Sequence, residues 1–188
     1  MICGFFMDGN QGQRLLILIG PMGAGKTTIG KLLAQQLGYT FFDSDHEIER
    51  NTGAKIPWIF EKEGEAGFRQ RESRALDVLT AQNNVVLATG GGAVTIPQNH
   101  AYLRRGHIIY LRAPVDVQYE RTCRDRNRPL LQTDNPKQRL ADLFAVRDPI
   151  YQEVADITVP TGHSSPKKMV QEILTQLAQR AADSQKGD

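Results

Sequence analysis

Residues 20–27 read Gly-Pro-Met-Gly-Ala-Gly-Lys-Thr, which fits the pattern G-x-x-x-x-G-K-[ST]. The run before it, Leu15–Ile19, is apolar throughout with no polar alternation, as in a strand buried on both faces. A helix is expected to follow. Strand, glycine-rich loop and helix in that order make a cradle for phosphate. The glycines let successive backbone N–H groups curl around phosphate oxygens without a Cβ in the way. The helix adds the positive end of its dipole. In such a cradle Lys26 reaches the β- and γ-phosphates of a nucleotide and the Thr27 hydroxyl ligates Mg²⁺. A dinucleotide-binding fingerprint fails here, because Thr28 stands where its last glycine is needed.

Further short apolar runs lie at 40–42, 85–88, 107–111 and 157–159, with longer amphipathic stretches between them. Met169, Ile173 and Leu177 form a helical stripe, and Ser164-Ser165-Pro166 marks its start. This alternation predicts an α/β fold with a mostly parallel sheet flanked by helices. The 188 residues suit a single domain over 14–182. Residues 1–13 read as an N-terminal extension expected to be disordered, and 183–188 as a C-terminal tail. The segment 122–136 is arginine-rich, contains prolines and shows no clear period, which predicts a mobile lid.

A net charge of +2 gives no reason to invoke nucleic acid or a membrane surface. No apolar run approaches the ~20 residues that span a bilayer. Cys3 and Cys123 sit in no CxxC pair, so a reducing, cytoplasmic setting is expected.

Asp43-Ser44-Asp45 follows the second apolar run. In open α/β sheets ligands bind beyond the carboxyl ends of the strands, which brings these carboxylates to the phosphate loop. Ser44 and Glu47 have capping-box spacing, and capping through Ser44 would leave both aspartates free. The run at 85–88 ends in Thr89 and Gly90-Gly91-Gly92 rather than in the acid that commonly helps hold Mg²⁺. Asp43 is therefore the candidate to support the metal. The glycine triplet allows a ligand close to the backbone. Phe68-Arg69 with Glu72 lies on a predicted helix, Arg147 is expected to end a helix before Pro149, and Trp58 is expected in the core. Arg121, Arg124, Arg126 and Arg128 suit a lid that clamps phosphate charge.

These pieces together resemble shikimate kinase. The matching residues are the GPMGAGKT loop, Asp43-Ser44-Asp45 with Phe42, Gly67-Phe68-Arg69 with Glu72, Ala88-Thr89 with the glycine triplet, Arg128-Pro129-Leu130-Leu131 with Asn127, and Arg147-Asp148-Pro149-Ile150-Tyr151. They occur in family order across about residues 15–180. The resemblance implies a P-loop kinase fold with five parallel strands in the order 2-3-1-4-5. It implies phosphorylation of the shikimate 3-hydroxyl by ATP with Mg²⁺, in a monomer that needs neither nucleic acid nor membrane. Carried over by motif, Asp45 contacts the reacting hydroxyl and Thr27 and Asp43 serve the metal. Arg69 and Arg147 hold the shikimate carboxylate, and Gly90, Gly91 and Gly92 contact the substrate. Arg128 faces the phosphates, and Arg121 lies against adenine. Further nucleotide contacts fall to Gly23, Ala24, Gly25, Lys26, Thr27 and Thr28.

Two rivals share the loop. One is another small P-loop kinase, for gluconate or a nucleotide; a nucleotide kinase would need a base-reading site, and the sequence offers none. A regulatory nucleotide-binding protein would keep Lys26 and Thr27 but would not need Asp45, Arg69 and Arg147 together.

Overall fold

Alternate residues of the first strand, β1 (Leu15–Ile19), enter two different cores. Leu16 and Leu18 pack with Leu33 of α1 (Lys26–Leu37) and with Ile173 and Leu177 of α7 (Pro166–Ser184). Leu15, Ile17 and Ile19 pack with Leu76 of α3 (Ile56–Thr80) and Tyr151 of α6 (Pro136–Val154). Pleating sends successive side chains to opposite faces, so an unbroken apolar strand requires cover on both sides. Burying each of these aliphatic side chains contributes about 1.5–3 kcal/mol.

The structure is a computed structural model and describes residues 14–123, 128–162 and 164–184. The other strands are β2 (Thr40–Asp43), β3 (Val85–Ala88), β4 (His107–Arg112) and β5 (Ile157–Pro160). All pair in parallel, in the order β2-β3-β1-β4-β5. The chain runs one way from β1 to β2 and β3, then crosses to β4. The switch leaves a crevice at the carboxyl ends of the central strands.

Beside it, α2 (Ser44–Thr52) and the start of α3 form a small lobe over Ile48, Ile59 and Phe68. Gly64, at φ +69°, divides α3 into two helical pieces, a conformation that costs other residues far more. Helices α4 (Pro97–Leu103) and α5 (Val115–Thr122) complete the order.

Two local expectations are corrected. Helix α6 does not stop before Pro149 but runs through it to Val154. A proline inside a helix removes one backbone bond and strains the preceding turn. Arg147, Asp148 and Tyr151 are all buried around it, so tertiary contacts hold the helix together. Trp58 is 50% exposed rather than in the core, because its neighbour Ile59 takes the interior position.

Within 122–136, Thr122 ends α5, Pro129–Leu131 form a 3₁₀ turn, and Pro136 opens α6. Asn135 caps that helix by accepting from the Gln138 N–H. Arg124 and Arg126 lie outside the described residues, as do 1–13 and 185–188. Helix α7 begins as the sequence suggests, with Ser165 Oγ accepting from the Lys168 N–H at 3.3 Å, and it continues to Ser184. No helix of the described residues is long and apolar enough to cross a membrane.

Candidate active site

The phosphate loop joins β1 to α1, with Gly23 and Gly25 at φ +75° and +91°. Lys26 Nζ folds back over it and donates to the carbonyls of Gly20 at 2.7 Å and Pro21 at 2.9 Å. Thr27 Oγ1 donates to Asp43 Oδ2 at 2.7 Å, which ties the loop to the end of β2. Asp43 Oδ1 accepts from the Asp45 N–H at 3.1 Å and so caps α2.

The expected Ser44–Glu47 capping box is therefore not formed. Strand β2 extends through Asp43, which moves the cap back one residue. Ser44 is buried and its hydroxyl accepts from the Gly90 N–H at 3.0 Å. Glu47 pairs with Arg50 instead. Of the two aspartates only Asp45 keeps its carboxylate uncommitted: its Oδ1 is buried with no hydrogen-bond partner.

Glu72 stands close by with no exposure, and its Oε1 is likewise buried without a partner. Its other oxygen accepts from Arg69 Nη1 at 2.7 Å, while Arg69 Nη2 reaches Glu65 at 2.9 Å. The glycine triplet makes room for this pair. A Cβ on Gly90 would collide with Glu72 and press on Asp45, and one on Gly92 would strike the Arg69 guanidinium. Arg147 is 7% exposed and has no carboxylate partner among the described residues. Its Nη1 donates to the Gly91 carbonyl at 3.3 Å.

Electrostatics follow the geometry. Burial, then repulsion from Glu72 and Asp43, pushes the Asp45 pKa up to about 7. Burial brings Lys26 down to about 8. Burial also lowers Arg147, and the Arg69 charge adds to that. Arg69 goes the other way: burial pulls it down, but Glu72 and Glu65 hold it up. One cavity of about 670 Å³ contains the loop, the carboxylates and both guanidiniums. It pairs an anion cradle with a tuned carboxylate and, in Arg147, a cation with no hydrogen-bonded carboxylate among the described residues.

The family model for shikimate kinase matches residues 22–178. The chain belongs to the shikimate kinase family. The shikimate kinase of Psychrobacter cryohalolentis is 61% identical to it over 163 residues, 86% of this chain and 88% of that protein. The solved structure of shikimate kinase from Acinetobacter baumannii in complex with shikimate matches with a TM-score of 0.88 at 54% identity, covering 89% of this chain and 94% of that one. Shikimate kinase from Aquifex aeolicus matches with a TM-score of 0.78 at 38% identity, covering 89% and 98%.

Every residue singled out for the site from the shikimate kinase motifs lines this cavity, with one exception. Ala24 packs into the core at 1% exposure, and its N–H goes to the Pro21 carbonyl. Arg121 bridges the Gly23 carbonyl at 2.9 Å and the Gly162 carbonyl at 2.6 Å, between the phosphate loop and the start of α7. Glu72 belongs to the shikimate kinase motif, but the motif alone assigns it no role. Its spacing of three residues from Arg69 on a helix was the available signal. Ile56 and Phe60 on the small lobe also line the cavity, and nothing in their sequence spacing marks them.

Proposed function

We propose that this protein transfers the γ-phosphoryl group of ATP to the 3-hydroxyl of shikimate, giving shikimate 3-phosphate and ADP on the route to chorismate and the aromatic amino acids. The observation that carries this reading is the convergence of the phosphate loop, Asp45, Arg69 and Arg147 on one cavity. The loop N–H groups and Lys26 take the nucleotide phosphates. Two of the three Lys26 N–H donors are on the Gly20 and Pro21 carbonyls, which leaves one for a phosphate oxygen. Arg69 and Arg147 take the acceptor carboxylate, where planar bidentate pairing fixes orientation as well as affinity. With the carboxylate fixed, one hydroxyl faces Asp45. The acceptor oxygen forms its bond to the γ-phosphorus as the bond to the ADP oxygen breaks, and the hydroxyl proton passes to Asp45. A carboxylate with a pKa near 7 is suited to that transfer.

Magnesium fits the donor set at Thr27 and Asp43, which offers hard oxygens beside the phosphate site. When bound, it supplies charge neutralisation at the phosphates. Arg128 and Arg121 both line the cavity; in this reading Arg128 takes the phosphates and Arg121 the adenine. The segment 122–136 acts as the lid. A monomer is the proposed working form, and the free, exposed thiol of Cys123 suits a reducing cytoplasm.

ADP release in the presence of shikimate, gluconate and nucleoside monophosphates tests the assignment. Release should rise far above the rate with water only for shikimate. A rise with gluconate or a nucleotide instead would replace the acceptor and leave the phosphate loop reading in place. No rise with any acceptor would favour a binding protein.

A further inference from the structure

Arg147 and Tyr151 lie one turn apart on α6 and so share a face. Both donate to the Gly91 carbonyl, Arg147 through Nη1 and Tyr151 through its hydroxyl. A carbonyl oxygen has two lone pairs and can accept from both. Tyr151 has no exposure, and its ring stacks on Tyr110 with centroids 4.8 Å apart. The Tyr110 hydroxyl donates to Asp148 at 2.6 Å. Asp148 also accepts from Arg112 at 2.9 and 3.0 Å and from Gln152 at 2.7 Å. The network bolts α6 to β4 beside Arg147. Gly91 sits mid-triplet and has no side chain to fix its own peptide.

We propose that Tyr151 is a positioning residue for acceptor binding: its hydroxyl fixes the Gly91 carbonyl, which in turn holds the Arg147 guanidinium for the acceptor carboxylate. The inference rests on the acceptor reading above. Arg69 is held by the carboxylate of Glu72, which also neutralises it. A second acidic partner at Arg147 would compete with the incoming carboxylate. A neutral carbonyl sets direction without consuming the charge, but only if the carbonyl itself is fixed. Tyr151 supplies that restraint from the buried side.

Steady-state kinetics of Tyr151→Phe test this, with Tyr110→Phe as the control on the same stacked pair. Wild-type turnover of shikimate is measured first, and its absence would overturn the acceptor reading and this inference together. With turnover present, Tyr151→Phe should raise KM for shikimate about tenfold. KM for ATP and kcat should stay within about twofold. Tyr110→Phe leaves Asp148 its bonds from Arg112 and Gln152, and should hold all three constants within about twofold. In an Arg147→Ala background, Tyr151→Phe should add no further loss. An unchanged shikimate KM in Tyr151→Phe, or an equal loss in both phenylalanine variants, would overturn the inference and leave the acceptor reading standing. Should Tyr151→Phe not fold, wild-type protein carrying ¹³Cζ-labelled tyrosine decides. The Tyr151 resonance should shift when shikimate is added, and a resonance indifferent to shikimate would overturn the proposal.

Discussion

On the proposed assignment, the two halves of the cavity hold their ligands by different physical means. The nucleotide half is mostly backbone: a glycine-rich turn, the start of α1 and Lys26 lie in one short stretch of chain, joined by Arg121 and Arg128 from farther along. Apart from Lys26, Arg121 and Arg128, its donors are peptide N–H groups, which carry no net charge and need no counter-charge when empty. The acceptor half is built from ionisable side chains on α2, α3 and α6, arranged around a turn that has none. Those charges lose solvation on burial and must be balanced in the fold. Arg69 and Glu72 balance each other, Lys26 and Arg128 offset part of the Asp45 charge, and Arg147 is held by a neutral carbonyl. The difference predicts that substitutions in the acceptor half change acceptor use and local electrostatics while nucleotide binding survives.

The largest effect should come from Asp45→Asn. The change is nearly isosteric, so folding and nucleotide affinity should persist, while turnover falls by about 10²–10⁴ with the proton acceptor lost. Parallel nucleotide titration and single-turnover kinetics measure both. Loss of nucleotide binding in this variant would break the division between the halves.

Next come Arg69→Lys and Arg147→Lys, which keep charge but lose the planar fork. Each should weaken shikimate binding by about 1.5–3 kcal/mol by calorimetry, with ATP affinity unchanged. The two should differ in stability. Arg69→Lys disturbs a pair with the fully buried Glu72, so its melting temperature should fall further than that of Arg147→Lys. Equal melting temperatures would count against the different holding modes proposed for the two arginines.

Asp43→Asn sharpens the boundary, because Asp43 bridges Thr27 and the cap of α2. A Mg²⁺ titration of turnover should show the half-saturating concentration raised about tenfold or more, with excess metal recovering part of the rate. Rescue of the Asp45 variant by excess metal, without rescue of the Asp43 variant, would exchange the two roles.

The smallest effect concerns the buttress behind the site. The hydrogen bond from Arg112, opposed by burial and joined by Tyr110, holds the Asp148 carboxyl below its usual value of 3.8. A carboxylate with a depressed folded pKa stabilises the fold fully above its unfolded value. That stability is lost as pH falls through the folded value. Asp148→Asn should cost about 1 kcal/mol at neutral pH, since Arg112 is half-exposed. The difference from wild type should shrink below about pH 4. Thermal melts across pH check this, and a difference that widens in acid would contradict it.

How legible each half was follows from the same contrast. The phosphate loop, its strand and its helix are contiguous, and the apolar run at Leu15–Ile19 could be read directly as a strand covered on both faces. Asp45, Arg69 and Arg147 entered through motifs, and their meeting in one cavity depends on the sheet order and on the path of α3 and α6. The true cap at Asp43 was missed because Ser44 and Glu47 satisfied a local pattern, while the buried Gly90 N–H claimed the serine hydroxyl from far along the chain. Pro149 misleads for a related reason: local propensity ends a helix there, and the packing of Asp148 and Tyr151 carries it on. Ile56 and Phe60 owe their place on the cavity wall to the small lobe alone.

The position of the transferred phosphate tests most directly whether the guanidiniums of Arg69 and Arg147 fix the acceptor so that one hydroxyl meets Asp45. Purified protein is incubated with ATP, Mg²⁺ and shikimate, and the product is resolved by ³¹P–¹H correlation NMR. A single phosphate ester on the 3-oxygen is expected. A mixture of esters on the ring hydroxyls, or a single ester elsewhere, would contradict a site that orients its acceptor through the carboxylate.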